Sequence, residues 1–111
     1  MIRLLITDVA GLCVAARNTD YVSAALASSG STGRCTAIGH ADPLGPYDAA
    51  LVNGTAAHGE DFDDTFEGGP VHAGAVIVPA VLAIAEDRGM TGDALVKGCA
   101  VGLEILCRMS L

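Results

Sequence analysis

From Ala73 to Ala85 the chain runs thirteen residues without a charged or strongly polar side chain: Ala-Gly-Ala-Val-Ile-Val-Pro-Ala-Val-Leu-Ala-Ile-Ala. No other stretch limits the available folds as much. A bilayer-crossing helix needs about 20 apolar residues, so this run is too short to span a membrane and has to be covered by protein. Asp87-Arg88-Gly89 ends it with a glycine suited to the left-handed position just past a helix. The spacing therefore predicts a helix over 73–87, with Pro79 kinking it or removing one backbone bond. A helix apolar all round belongs inside a bundle or a subunit contact.

The flanking sequence reads as more helix. Ile2, Leu5, Ile6, Val9, Leu12, Cys13 and Ala16 recur at helical spacing and leave little polar face, so a helix over 2–16 is expected to be buried on most sides. A short helix over 19–28 follows, with Asn18 or Thr19 as N-cap. Residues 34–39 read as a brief extended segment, and 40–45 as loop, with His40 a solvated member of it. Pro46 suits the first turn of a helix from about Tyr47 to His58, which sets Ala50, Leu51, Gly54, Ala57 and His58 along one side. Gly54, Ala56 and Ala57 are small enough to let another helix come close. The last helix opens on Thr91 as N-cap and runs to the end of the chain. The first helix has no approach sequence and the last has no C-cap, which reads as truncation at both ends. The fold class expected is all-α. Its core is built from Ala, Val, Leu and Ile, because the chain is 51% hydrophobic but only 4% aromatic.

Charge excludes several functions. The net charge of −7, with only six scattered basic residues, is wrong for nucleic acid or an anionic membrane surface. Cys13, Cys35, Cys99 and Cys107 form no CxxC or zinc-like pairing. Three of them, at 13, 99 and 107, sit among aliphatic residues as small hydrophobes, which fits a reduced, cytoplasmic protein. No signal peptide is evident, since Asp8 interrupts the apolar start.

The polar chemistry is concentrated between His58 and His72. This stretch holds Glu60, Asp61, Asp63, Asp64 and Glu67, with Asp48 on the approach, and two of the three histidines bracket it. Carboxylates this close repel one another, and if they share a site at least one should hold its proton more tightly and serve as general acid or base. A histidine can do the same work. Thr65 offers a hydroxyl to a substrate carboxylate, and Gly68 and Gly69 leave backbone N–H groups open to an anion. The pattern fits proton abstraction beside a carboxylate followed by loss of a group. A solvated acidic loop is the bland alternative. A metal site lacks EF-hand spacing and any HxxxH or HxH pair. Asp61-Phe62-Asp63-Asp64-Thr65 also resembles the haloacid-dehalogenase nucleophile motif, but a helix end precedes it here and not a strand. Its resemblance to the class II terpene cyclase motif fails because two Phe, two Tyr and no Trp cannot line a carbocation site.

Asn53-Gly54-Thr55-Ala56-Ala57-His58, then Asp61-Phe62-Asp63-Asp64-Thr65, His72 and Val78-Pro79-Ala80-Val81-Leu82-Ala83, together resemble the MmgE/PrpD family over nearly the whole chain. That family includes 2-methylcitrate dehydratase, cis-aconitate decarboxylase and iminodisuccinate epimerase. The resemblance implies part of a helical domain, with a smaller α+β domain absent from these 111 residues. It implies a dimeric full-length enzyme that works on a small polycarboxylate without metal or organic cofactor. Carried onto this chain, Asp61, Thr65 and His72 are its catalytic and substrate-binding residues, while His58, Asp63 and Asp64 are matched positions without an assigned role. Two departures stand out. His72-Ala73-Gly74 stands where many relatives have His-Pro. The further His and Lys residues of the family's site, which would meet the substrate's negative charge, lie beyond this chain.

Overall fold

A computed structural model describes residues 1–111 and contains five helices, α1 (Ile2–Ala16), α2 (Asp20–Ser28), α3 (Pro46–His58), α4 (Ala73–Asp87) and α5 (Gly92–Met109). Two isolated antiparallel bridges, Cys35 with Leu44 and Phe66 with Val71, are the extended pairings; no strand forms. The radius of gyration, 13.3 Å, is close to the ~13 Å expected for a complete globular domain of this length.

Helices α3 and α4 form the central pair, with α1 and α2 laid on α3 and α5 on α4. The pair comes close because nothing bulky stands between them. A Cβ at Gly54 would lie 3.2 Å from the Ala75 carbonyl oxygen. That carbonyl is the one Pro79 cannot bond, since proline has no N–H to donate four residues back. Helices α4 and α5 meet through Gly98 and Gly102, where a methyl group would press on Val81 and Ile77 at 2.8 and 2.7 Å. Gly89 adopts φ +63°, and the Met90 N–H bonds the Ala85 carbonyl at 2.8 Å, closing α4 as the sequence indicates. Thr91 caps α5 by accepting from the Ala94 N–H at 3.1 Å. Thr19 caps α2 in backbone only, because its hydroxyl donates to the Ala16 carbonyl instead.

A single buried amide ties the link between α2 and α3 to the bundle. Asn53, 2% exposed, accepts from the Ile38 N–H and donates to the Thr36 carbonyl, both at 2.8 Å. On the other side of the same segment, Glu86 accepts from the Thr36 N–H and hydroxyl, and the Cys35 thiol donates to the Ala83 carbonyl. The link thus spans α3 and α4 like a clip.

The burial pattern corrects the expectations for α1 and His40. Helix α1 buries only Val9, Cys13 and Ala16, one narrow stripe against α3, and leaves Leu4 and Val14 exposed. Helix α4 packs on α1, α3 and α5 within the bundle and is open at Val76, Ala80 and Ile84. The core stripe of α3 is Ala49, Val52, Asn53, Ala56 and Ala57, beside the side that the sequence sets together at Ala50, Leu51, Gly54 and His58. His40 is partly buried, and its Nε2 is enclosed without a hydrogen-bond partner, so it is not a solvated loop residue. Among the thiols, Cys13, Cys35 and Cys99 are buried while Cys107 is half-buried, and all four are free.

Two outcomes follow from this packing. Asn53→Ala leaves the Ile38 N–H and Thr36 carbonyl without partners and should cost on the order of 2–3 kcal/mol in urea unfolding of the chain. Burial also pushes the Cys13 thiol from 9.0 to about 11. A neutral-form group raised in the fold stabilises below its unfolded value and loses that contribution as pH rises through the folded one. The urea midpoint should therefore fall between pH 9 and about 11, and Cys13→Ala should make that fall shallower.

Candidate functional site

Helix α3 ends at His58 and α4 begins just after His72, so the close pairing of the two helices brings the two imidazoles together. Their ring centroids are 4.7 Å apart with planes at 55°. They stand on the wall of a cleft of ≈ 810 Å³ lined by Tyr21, Ala50, Leu51, Gly54, Thr55, His58, Gly59, Val71, His72, Ala75, Val76 and Leu106. The residues of α3 set along one side by the sequence, Ala50, Leu51, Gly54 and His58 but not Ala57, line this cleft. No lysine or arginine lines it.

The loop between the helices sends its three aspartates in three directions. Asp63 turns inward, its side chain 0% exposed, and both carboxylate oxygens lie 3.1 Å from His58 Nδ1. Asp64 turns toward α4 and accepts from the Gly74 N–H at 3.0 and 3.1 Å, where a negative charge meets the positive end of the helix. Asp61 stays at the surface, with one oxygen 3.7 Å from His72 Nε2 and the backbone at φ +58°. An aspartate tolerates that left-handed conformation better than most residues. Asp64 therefore lies apart, while Asp61 and Asp63 both come to the histidines.

His72 is fixed by a backbone acceptor. Its Nδ1 lies 3.0 Å from the Asp64 carbonyl, which can only accept, so Nδ1 carries the proton and Nε2 the lone pair. Asp63 Oδ1 and Thr65 Oγ1 stand further from the same nitrogen, each at 3.5 Å. The structure thus brings Asp61 and Thr65 to His72, but as neighbours at the rim; neither lines the cleft. Gly69 does not offer the open N–H group expected of it, whereas the exposed Gly68 has an N–H without a hydrogen-bond partner. The Gly69 N–H bonds the Phe66 carbonyl at 3.3 Å, and Gly69 packs on Ser110, while Gly68 packs on the Phe66 ring. A phenol–carboxylate bond at 2.7 Å, Tyr21 to Glu60, anchors the start of the loop on α2. That contact raises the Tyr21 hydroxyl above its ordinary value.

One donor atom from each of His58, Asp61, Asp63 and His72 lies within 4.8 Å of the others. Tetrahedral zinc brings its donors to about 3.4 Å of one another, given bonds near 2.1 Å. Here the donors are spread more widely than that, and the Asp63 carboxylate is hydrogen-bonded to His58.

A family model described as the MmgE/PrpD N-terminal domain matches residues 1–111. The chain belongs to the MmgE/PrpD family. Its five helices without strands are the all-helical architecture of that domain. Cis-aconitate decarboxylase of Aspergillus terreus is 31% identical over 109 residues, covering 91% of this chain and 22% of the relative. A cis-aconitate decarboxylase-like protein, oryM, of Aspergillus oryzae is 37% identical over 54 residues, covering 49% of this chain and 11% of the relative. The chain thus spans about a fifth of the curated relative it matches over most of its length. No solved structure matches it.

Within this MmgE/PrpD domain the motif residues left without a role acquire definite contacts. Asp63 pairs with His58, and Asp64 both holds His72 and caps α4. The second of these had a sequence signal: an aspartate eight residues before His72 and ten before a glycine that opens a helix. Gly74 is required there, because a Cβ would fall 2.2 Å from Asp64 Oδ1. Gly74→Ala should therefore destabilise the chain by about 1–3 kcal/mol in urea. Asp64→Ala, which removes the cap, should cost about 1 kcal/mol. The double substitution should cost less than the sum, because each disrupts the same contact.

Proposed function

We propose that this chain supplies one wall of the active site of a cofactor-independent lyase, a dehydratase or decarboxylase acting on a small di- or tricarboxylate. The observation that carries this reading is His72: its Nδ1–H is committed to the Asp64 carbonyl, so the Nε2 lone pair is held ready at the cleft. In that role Nε2 removes the proton alpha to a substrate carboxylate. Asp61, 3.7 Å from Nε2, steadies the imidazolium that results, and Thr65 at the rim orients a carboxylate through its hydroxyl. Membership of the family, and the similarity to a protein named cis-aconitate decarboxylase, support the substrate class.

The wall is incomplete by itself. A polycarboxylate needs positive charge opposite it, and no lysine or arginine lines the cleft. We assign that charge to further residues of a longer, homodimeric, cytoplasmic protein, of whose helical domain these residues form a part. No helix here is long and apolar enough to cross a membrane. An epimerase of the same family begins with the same proton removal and is the nearest alternative. A non-catalytic helical module remains a second reading, because α4 and α5 expose Val76, Ile84, Val101 and Ile105.

Incubating the full-length protein with cis-aconitate, 2-methylcitrate and iminodisuccinate separates decarboxylase, dehydratase and epimerase by product. His72→Ala should reduce turnover by on the order of 10²–10⁴-fold. Unchanged turnover in that variant would favour the non-catalytic module. The isolated 111 residues should turn over none of the three.

A further inference from the structure

Asp63 is the buried charge that the role given to His72 does not use. It is the chain's one aspartate or glutamate with a fully covered side chain in the site, and its hydrogen-bond partner is the His58 ring. A buried carboxylate without a good donor is strongly unfavourable, so the His58 Nδ1–H is held there firmly. Because a carboxylate only accepts, Nδ1 bears a proton, and in the neutral ring the lone pair lies on Nε2. The His58 side chain is 53% exposed, lines the cleft, and stands 4.7 Å from the His72 ring.

We propose that His58 is a second proton-transfer residue of this site, with Asp63 as the positioning residue that fixes its tautomer. The inference rests on the proton-transfer reading of His72. In an elimination, His72 Nε2 takes the proton from carbon and the C–H electron pair becomes the new double bond. His58, carrying a proton on Nε2 as well as Nδ1, gives the Nε2 proton to the departing hydroxyl, which leaves as water. The elimination ends with one proton gained at His72 and one lost at His58, and exchange with solvent restores both. In a decarboxylation the His58 proton goes to the carbon that takes the C–C electron pair as CO2 leaves, and in an epimerisation to the carbanion carbon. Asp63 balances the positive charge of protonated His58 and keeps its ring from turning. Its weaker contact with His72, at 3.5 Å, makes one carboxylate common to both imidazoles.

Two measurements test this. The first needs no substrate: long-range ¹H–¹⁵N correlation on the histidine-labelled chain reads each tautomer in its neutral form. Both His58 and His72 should show the Nδ1–H pattern. Asp63→Asn should shift His58 toward the Nε2–H form and leave His72 unchanged, since the Asp64 carbonyl still holds it. Finding Nε2–H at His58 in the unsubstituted chain, or no change at His58 in the variant, overturns the positioning role.

The second measurement is kinetic, in the full-length protein with whichever of cis-aconitate, 2-methylcitrate or iminodisuccinate it turns over. His58→Gln should lower kcat by on the order of 10²-fold, with KM within about threefold of wild type. Asp63→Asn should give a similar loss, and the double variant should fall little further, because the two act as one unit. If His58→Gln keeps its kcat while His72→Ala loses activity, His58 is not a proton-transfer residue and the role of His72 stands. If both keep activity, the proton-transfer reading itself is wrong. Should Asp63→Asn fail to fold by circular dichroism, His58→Gln on its half-exposed side chain carries the kinetic test alone.

Discussion

The close approach of α3 and α4 is the constraint on which the rest depends. It requires small residues at the contact, and Gly54 against the Ala75 carbonyl supplies the tightest point. With so few aromatics, the core has no large rings to fill wider gaps, so van der Waals contact has to come from short distances. The same closeness sets the ends of the two helices side by side. His58 and His72 meet because one closes α3 and the other precedes α4. The residues that pack the centre therefore also fix the chemistry at its edge.

Around that pair, polar side chains do structural work that the apolar core cannot. Asn53 and Glu86 hold the 35–38 segment from opposite sides. Asp48 accepts from the Ser31 hydroxyl and N–H, which holds its carboxyl below the usual carboxylate range and ties the link to the start of α3. Each contact replaces a loop that would otherwise have to be ordered by hydrophobic burial, at a cost in chain entropy. None of these tying residues lines the cleft.

Much of this was legible in the residues. The bounds of α1, α3 and α4, the glycine that ends α4 and the threonine that caps α5 follow from local rules of spacing and capping. The burial of each helix did not. Helix α1 carries apolar residues on almost every side, yet only Val9, Cys13 and Ala16 are fully buried, and periodicity cannot say how many neighbours exist. On α3 the buried stripe contains an asparagine, so a reading that follows apolar spacing lands on the adjacent cleft face. In the loop, the sequence gathered the acids and histidines into one place but could not distribute them. Which aspartate turns inward depends on backbone direction over Asp61 to Asp64, a segment that opens on a left-handed residue at Asp61.

That left-handed backbone also bears on how position 61 can vary. With φ near +58°, the residue is limited to types that tolerate the conformation, chiefly Gly, Asn and Asp. A library of replacements at Asp61 would thus be filtered twice, once by the turn and once by whatever the carboxylate contributes beside His72. Loss of function on changing it to alanine would mix the two filters. Asparagine, which keeps the turn and removes only the charge, is the substitution that separates them.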